Sequence, residues 1–320
     1  MAERMGRRRT SPPGGSMKPQ PFLFVSVLVF LTASSCFGGE TPPSGAARLC
    51  IVADQRIRES SGIALSRRQP DAVWIHNDSG DRARLFLVGL DGQTRGVLRL
   101  NGVRAFDWED MCAFTAEGTP MLLVGDVGDN SRSRSLSGDK GPSQPCRLLR
   151  LPEPEMKGTA EQEADAATII SFEYEDGPRN CESVAVDAVR GEILLVSKTK
   201  LGAGEVTGVY MMPLTLATGT ASATARRIGT LKMDMATALD ISPDGRRMAV
   251  LGPTGALCLE RGEGESWEEA LKRPPLLVAL PRRENGETLC FGRTRDELLL
   301  NSERVGQPLW SVELPKVSAD

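Results

Sequence analysis

The chain has 320 residues, of which 40% are hydrophobic, 25% are charged and 5% are aromatic. This length and apolar content suffice for one large or two ordinary globular domains with a hydrophobic core, and they exclude an intrinsically disordered chain. The formal net charge is −3, and the segment that begins at Cys36 has 34 basic against 41 acidic residues. An acidic surplus argues against nucleic-acid binding. His76 is the single histidine, which argues against Ser/His or Cys/His catalysis and against zinc sites built from several histidines.

The N-terminal region has the pattern of an export signal. The apolar stretch from Phe22 to Ala33 follows a basic segment and is shorter than the roughly 20 apolar residues that a bilayer span needs. We therefore predict a signal peptide over residues 1–35, with Met17 as an alternative start, and a short linker over 36–45. Cys36 lies where a bacterial lipoprotein is cleaved and lipidated, so lipidation, plain secretion and an uncleaved anchor stay open. The predicted location is the periplasm, the cell surface or the extracellular space.

The remaining cysteines allow two interpretations. They are Cys50, Cys112, Cys146, Cys181, Cys258 and Cys290. An even number permits a full set of disulfides in an oxidising compartment. Alternatively, the cysteines inside apolar strand patterns are small buried hydrophobic residues. No two have CxxC spacing, which excludes a zinc ribbon and a thioredoxin motif.

An internal repeat is the most informative feature of the sequence. A polar or small residue, an alternating apolar run, a turn and a second apolar run follow one another five times. The copies are Glu59–Asp78, Trp108–Asp126, Asn180–Thr199, Ala236–Gly252 and Gly286–Glu303. Their aligned anchor residues are Ser61, Glu109, Glu182, Thr237 and Glu287, with spacings of 48, 73, 55 and 50 residues. The longest spacing contains an insert over residues 131–159. Repeats of about fifty residues predict the blades of a propeller.

Within each repeat, apolar alternation and turn residues predict four strands. In the first repeat we expect Leu49–Ala53 to be the inner strand, Gly62–Leu65 and Ala72–His76 the middle strands, and Arg84–Gly89 the outer strand. Gly96–Leu100 is then expected to be the inner strand of the next blade.

The sequence therefore predicts an all-β fold, a β-propeller of about five four-stranded blades over residues 46–320, with six blades as the alternative. The segment Ile241–Arg246 has the Pro and Gly positions of a hairpin turn. Helix is expected only over Ser266–Lys272, where Ser266 and Glu269 form a capping box. The lack of helices between strands argues against a doubly wound α/β fold, and the repeat length argues against a β-sandwich.

Polar side chains collect at strand ends in the first three repeats. The predicted metal ligands are Asp107, Glu109, Asp126, Asp129 and Glu182, and the predicted ligand-binding residues are Asn77, Asp78, Asn130, Asn180 and Lys198. Equivalent positions of successive blades surround one axis, so these groups are expected to converge, and clustered carboxylates repel unless a cation or protons neutralise them. Oxygen ligands without histidine or thiolate favour Ca²⁺, followed by Mg²⁺ or Mn²⁺. The alternative is that each acid caps its own turn.

Three other residues have plainer interpretations. His76 is expected to be a hydrogen-bonded blade residue rather than a catalytic base. Arg132 and Arg134, in the insert, are expected to lie on a solvated loop.

The motifs NDSG, DWED, GDVGDN and DGPRNCES, together with the hairpin ISPDGRRMAV, resemble those of a family of exported bacterial β-propeller proteins. They are distantly similar to esterase-like phytases and to NHL and gluconolactonase-type propellers. The resemblance covers roughly Glu59 to Glu303 and implies the fold and an acidic central site, but no particular substrate. Where that family usually has alanine, this chain has Cys112 and Cys181. This paired departure implies a disulfide between neighbouring blades.

Two classes of function follow. The first is an exported or lipid-anchored binding module, in which Ca²⁺ is structural and the insert contacts a partner protein or a glycan. The second is a metal-dependent hydrolase of phosphoesters or carboxylic esters, in which Lys198 and Lys200 hold an anionic group. We expect a monomer whose partner is a protein, a glycan or a small anionic ligand, with membrane contact only through a lipid on Cys36. Open metal coordination beside a cationic residue would favour the hydrolase, and a filled oxygen cage would favour the binding module.

Overall fold

The computed structural model describes residues 42–136, 144–200, 202 and 206–316. The predicted signal peptide and Cys36 lie outside the described residues. Within the described part of the chain, no helix is both long and apolar enough to cross a membrane.

Nearly all regular structure in this part of the chain is β-strand. The strands of the first half are, in chain order, β1 (Ala46–Ile51), β2 (Ser60–Leu65), β3 (Ala72–Asn77), β4 (Arg84–Gly89), β5 (Thr94–Asn101), β6 (Trp108–Ala116), β7 (Thr119–Asp126), β8 (Cys146–Pro152), β9 (Glu161–Asp165) and β10 (Thr168–Tyr174). The strands that follow are β11 (Cys181–Asp187), β12 (Glu192–Ser197), β13 (Thr207–Pro213), β14 (Gly219–Leu231), β15 (Ala238–Ile241), β16 (Arg247–Gly252), β17 (Gly255–Glu260), β18 (Leu276–Val278), β19 (Thr288–Phe291), β20 (Glu297–Asn301) and β21 (Pro308–Glu313).

The described strands form four sheets. Three have the orders β2-β3-β4-β5-β9, β15-β16-β17-β18 and β19-β20-β21-β1. The fourth joins two antiparallel groups, β6-β7-β8-β10 and β11-β12-β13-β14, at their outer edges. There the first half of the long strand β14 pairs with β10 in parallel, and its second half pairs with β13 antiparallel.

The first strands of these groups meet at the centre. Strands β2, β6, β11, β15 and β19 contact one another in that order, and β19 returns to contact β2. The N-terminal strand β1 pairs antiparallel with the C-terminal strand β21, so the two ends of the described chain complete one sheet. Sheets arranged radially around a closed inner cycle are the architecture of a β-propeller.

The predicted assignment of strands to blades is wrong, because it is shifted by one strand. Leu49–Ala53 was expected to be an inner strand, but β1 is the outer edge of the last sheet, and β2 is the inner strand of the first sheet. The segment Gly96–Leu100 was expected to begin the next blade, but it belongs to β5 and pairs with β4. Alternation identifies a strand without identifying its neighbour. Burial makes the distinction, because all six residues of β2 are buried whereas no residue of β1 is.

Buried carboxylates tie the inner strands together. Asp110, on β6, accepts hydrogen bonds from the backbone N–H groups of Val184 (2.9 Å) on β11 and Leu239 (3.0 Å) on β15. Asp240, on β15, accepts one from the N–H of Phe291 (2.7 Å) on β19. Burial raises the pKa of Asp110 well above its usual range and that of Asp240 to about 6. Asp110 therefore connects the two ends of the eight-stranded sheet and links them to β15 of another sheet, and Asp240 links β15 to β19 of a third.

Two local predictions are confirmed. In the predicted hairpin, the N–H of Gly245 donates to the carbonyl of Ser242 (2.8 Å), and Gly245 has a φ of 68°, which glycine tolerates without strain. The predicted helix is the short segment α1 (Trp267–Ala270). Its capping box is present, since the Ser266 side chain accepts from the N–H of Glu269 and the Glu269 carboxylate accepts from the N–H of Ser266.

The disulfide implied between Cys112 and Cys181 is wrong for this structure, in which the described cysteines are free thiols. The thiol of Cys181 instead lies 3.3 Å from the carbonyl of Val196 and 3.4 Å from that of Ser183. Both cysteines are buried in one hydrophobic cluster, and burial raises the pKa of Cys181 to about 12. They pack as small hydrophobic residues.

Candidate functional site

Three carboxylates meet at one end of the inner strands. Asp78 follows β3, Asp107 precedes β6, and Glu109 is the second residue of β6. One oxygen from each lies within 4.8 Å of the others. Glu109 is only 4% exposed, and the other two are half-buried. Since Ca²⁺ binds oxygens at about 2.3–2.6 Å, one ion can contact oxygens that lie up to about 5 Å apart. We call these three residues the acidic triad.

The surroundings of the triad disfavour three negative charges. Burial, followed by repulsion from Glu182, Asp78 and Asp107, raises the pKa of Glu109 well above its usual range. Burial and then the charge of Asp78 raise the pKa of Asp107. The pKa of Asp78 is also raised, chiefly by burial. Ionising all three at neutral pH therefore costs free energy, and a bound cation would offset that cost.

Gly128 forms the floor beneath two of these carboxylates. A Cβ at this position would lie 2.2 Å from Oε1 of Glu109 and 2.4 Å from Oδ2 of Asp107. The N–H of Gly128 also donates to the backbone carbonyl of Asp107 at 3.2 Å. Glycine is required here because of this close approach. The second glycine of GDVGDN is thus part of the site, a role that the sequence analysis missed.

Asp126, a predicted metal ligand, is held by two arginines. Its Oδ1 accepts from Arg134 (2.8 Å) and its Oδ2 from Arg147 (2.5 Å). The backbone N–H of Asp107 also donates to Oδ1 (3.2 Å). Arg134 further donates to the carbonyl of Gly128 (2.8 Å) and is 5% exposed, so the expectation that it lies on a solvated loop is wrong. Asp126 and Arg134 position the backbone on which Asp107 and Gly128 lie.

Asp129, another predicted metal ligand, caps its own loop. Its carboxylate accepts from the N–H groups of Ser133 (2.9 Å) and Arg134 (3.0 Å). The N–H of Asp129 donates to Oδ1 of Asn180 (2.8 Å), and Nδ2 of Asn180 donates to Oδ1 of Asn130 (3.0 Å). The two predicted ligand-binding asparagines thus link the loops before β8 and β11.

The end of β3 is fixed by side chain to backbone hydrogen bonds. Oδ1 of Asn77 accepts from the N–H groups of Arg58 (2.9 Å) and Glu59 (3.1 Å). Nδ1 of His76 lies 2.9 Å from the carbonyl of Asn77, and burial lowers the pKa of His76 to about 4. The interpretation of His76 as a hydrogen-bonded residue is confirmed. This end of β3 leads directly into Asp78.

Lys198 lies among acids from several inner strands. It forms an ion pair with Glu182. Burial alone would lower the pKa of Lys198, but the charges of Glu182, Glu287 and Glu109 raise it. Burial raises the pKa of Glu287 to about 7, with Lys198 opposing the shift and Glu182 and Glu303 adding to it. The predicted ligand-binding lysine therefore interacts with the acidic triad through Glu109 and with the last inner strand through Glu287.

A cavity of about 450 Å³ extends from Lys198. Two of the five repeat anchors, Thr237 and Glu287, line it, together with Arg283 and the apolar residue Leu280. Its volume is within the range of about 300–1,000 Å³ that is typical of small-molecule sites. The cavity depends on the loop that connects β18 to β19, which gave no functional signal in the sequence.

No protein-family model and no curated protein matches this sequence. Several solved structures are similar. An aldose sugar dehydrogenase from Streptomyces coelicolor, in its PQQ-bound form, has 13% identity and a TM-score of 0.45, over 85% of this chain and 99% of that one. A gluconolactonase from Xanthomonas campestris has 12% identity and a TM-score of 0.40, over 83% and 89%. The Pan2 WD40 domain of Neurospora crassa has 12% identity and a TM-score of 0.41, over 85% and 97%.

Proposed function

We propose that the acidic triad, Asp78, Asp107 and Glu109, binds a divalent cation at its end of the inner strands. The observation that carries this proposal is the approach of three carboxylate oxygens to within 4.8 Å of one another around a buried glutamate. Their raised pKa values and the glycine floor at Gly128 support it. An all-oxygen donor set favours Ca²⁺ over Mg²⁺ and Mn²⁺. Glu182, paired with Lys198, belongs to the surroundings of the ion.

We further infer that the inner cycle corresponds to five blades, since each of the five inner strands begins a group of four strands and β9 is an added edge strand. The protein is proposed to be an exported monomer, either secreted or anchored through a lipid on Cys36. Its function is then cation-dependent binding of a protein, a glycan or a small anionic ligand at this end of the axis.

Hydrolysis of an ester is the second candidate function. Ca²⁺ takes about six to eight oxygen ligands, so three carboxylates alone do not fill its coordination. Lys198 lines the adjoining cavity, and its ammonium is available to an anionic substrate group through the donors that its pair with Glu182 does not use. A cation that polarises the scissile bond beside such a lysine is the arrangement that metal-assisted hydrolysis needs.

Calorimetric titration of the metal-free protein with Ca²⁺, Mg²⁺ and Mn²⁺ tests the cation site. We expect one ion to bind per chain, Ca²⁺ most tightly, and Asp107→Asn to weaken binding strongly. Asp129→Asn is the matched control, because Asp129 caps a loop in the same motif, and it should bind as the wild type does. Loss of binding in both variants, or in neither, would contradict the proposed ligand set.

The two candidate functions are then separated by turnover. The Ca²⁺-loaded protein is assayed on a phosphomonoester and on a carboxylic ester, with Lys198→Met as the comparison. Turnover that requires both Ca²⁺ and Lys198 supports the hydrolase. Ca²⁺ binding without turnover on either substrate class supports the binding module.

A further inference from the structure

Polar groups line the cavity next to Lys198, and some of them lack hydrogen-bond partners among the described residues. Its charged lining consists of three basic residues, Lys198, Arg282 and Arg283, against one acid, Glu287. Leu280 and other apolar residues form the remaining surface. Lys198 is already paired with Glu182, so an anion is indicated by the cavity groups that lack a partner in the described part of the chain.

Arg283 is the most unusual of these residues. Its Nη1 donates to the backbone carbonyls of Asn301 (2.9 Å) and Thr288 (3.3 Å). Its Nε is buried and has no hydrogen-bond partner among the described residues. Burial, with no contribution from an acid, lowers the pKa of Arg283 to about 10. Arg283 as a whole is half-buried, but its buried Nε without a partner costs free energy that a ligand oxyanion would recover.

Thr237 provides a second unsatisfied group in the same cavity. Its Oγ1 is buried and lacks a hydrogen-bond partner among the described residues. Lys198 adds an ammonium whose donors are only partly used by Glu182. Arg283, Thr237 and Lys198 thus line one cavity and can all donate hydrogen bonds to an oxyanion.

We propose that this cavity binds a small organic oxyanion, a carboxylate or a phosphate ester, with its charged end at Arg283, Thr237 and Lys198 and its uncharged part against Leu280. This inference does not require the cation proposed above, because Arg283 and Thr237 are not members of the acidic triad; Lys198 is the residue that the two sites share, since the charge of Glu109 also acts on it. Carboxylate and phosphate present the same acceptor chemistry to a guanidinium, so the experiment distinguishes them.

The test is calorimetric titration with gluconate, glucose 6-phosphate and neutral glucose, each with chelator and with Ca²⁺. We expect one of the two anions to bind with chelator present, and glucose to bind much more weakly. Arg283→Gln should weaken binding of that anion by at least about tenfold, because a charge-assisted hydrogen bond is lost. Thr237→Val, which keeps the side-chain shape, should weaken it by a few-fold.

Arg150→Gln is the matched control. Arg150 also has a buried Nε without a partner and donates to the carbonyls of Leu216 and Ala217, but it does not line the cavity. It should lose stability without losing anion affinity. If Arg283→Gln does not fold, Thr237→Val and Lys198→Met carry the test. No binding of either anion up to about 10 mM, or unchanged affinity in the folded cavity variants, would overturn the inference. Binding that appears only with Ca²⁺ would instead assign the anion to the cation site.

Discussion

Glu109 and Asp110 are adjacent on β6, and both are buried with a strongly raised pKa. Their surroundings nevertheless differ. Asp110 accepts hydrogen bonds from three backbone N–H groups, those of Met111, Val184 and Leu239. Glu109 faces the carboxylates of Asp78 and Asp107 across less than 5 Å. Backbone N–H groups of the fold satisfy Asp110, whereas among the described residues no carboxylate of the acidic triad accepts three such hydrogen bonds. A raised pKa therefore does not identify a binding site; the identity of the facing groups does.

The largest expected effect comes from removing the carboxylate that the fold satisfies. Asp110→Ala leaves the N–H groups of Met111, Val184 and Leu239 buried without acceptors and should lower the free energy of unfolding by about 3–5 kcal/mol. Urea unfolding measures the change, and added Ca²⁺ should not restore the loss. If Asp110→Ala gained much less stability from saturating Ca²⁺ than the wild type does, Asp110 would belong to the cation site, and the contrast with Glu109 would be removed.

Asp240, the other buried acid that connects inner strands, should make stability depend on pH. Because the pKa of Asp240 is raised to about 6 in the folded protein, the folded state holds this proton more tightly than the unfolded state. The contribution of Asp240 to stability is therefore fully present below about pH 4 and is lost as the pH rises to about 6, by about 3 kcal/mol at about 1.4 kcal/mol per unit. Asp240→Asn should flatten this part of the profile. An unchanged slope in the variant would assign the pH dependence to other groups.

Filling the floor of the acidic triad should have a smaller effect on stability but a clear one on binding. Gly128→Ala forces the carboxylates of Glu109 and Asp107 to move, which should cost about 1–3 kcal/mol and weaken Ca²⁺ binding. In Gly262→Ala, the new Cβ would lie no closer than 3.6 Å to a neighbouring atom, so this control should change neither quantity appreciably. Wild-type Ca²⁺ affinity in Gly128→Ala would argue that the ion does not lie at these carboxylates.

Local features of the fold were predictable from the sequence because short segments determine them. The capping box of Ser266 and Glu269 and the turn at Gly245 depend on neighbouring residues only. The anchors Glu109 and Glu182 were recognised by the repeat alone, although the strands that carry them were expected to be second strands and are the inner ones. Which strand pairs with β1 depends on the closure of the ring, and no local pattern contains that information.

The site was predictable only in part, for a related reason. Asp107, Asp126 and Asp129 occur in similar acidic motifs and look equivalent in the sequence. They differ in their spatial neighbours. Arg134, from the insert, forms an ion pair with Asp126, and N–H groups of its own loop donate to Asp129. Asp107 instead faces two other carboxylates. Arg283 gave no signal, because its significance depends on burial beside a cavity formed by distant segments.

The smallest expected change in stability, and the most direct test of the contrast, is Glu109→Gln. In chelator at neutral pH, this variant removes a repelling charge while keeping the side-chain shape, so its melting temperature should equal or slightly exceed that of the wild type. Saturating Ca²⁺ should then reverse the order. An ion that binds only the folded state adds about 2.7 kcal/mol at a hundred times its dissociation constant, and the wild type should gain this while the variant gains little. We therefore expect the variant to have the higher or equal melting temperature in chelator and the lower melting temperature in Ca²⁺. A variant that melts well below the wild type in chelator would mean that the protein itself satisfies Glu109 as it satisfies Asp110, and the acidic triad would then be a structural feature of the inner strands.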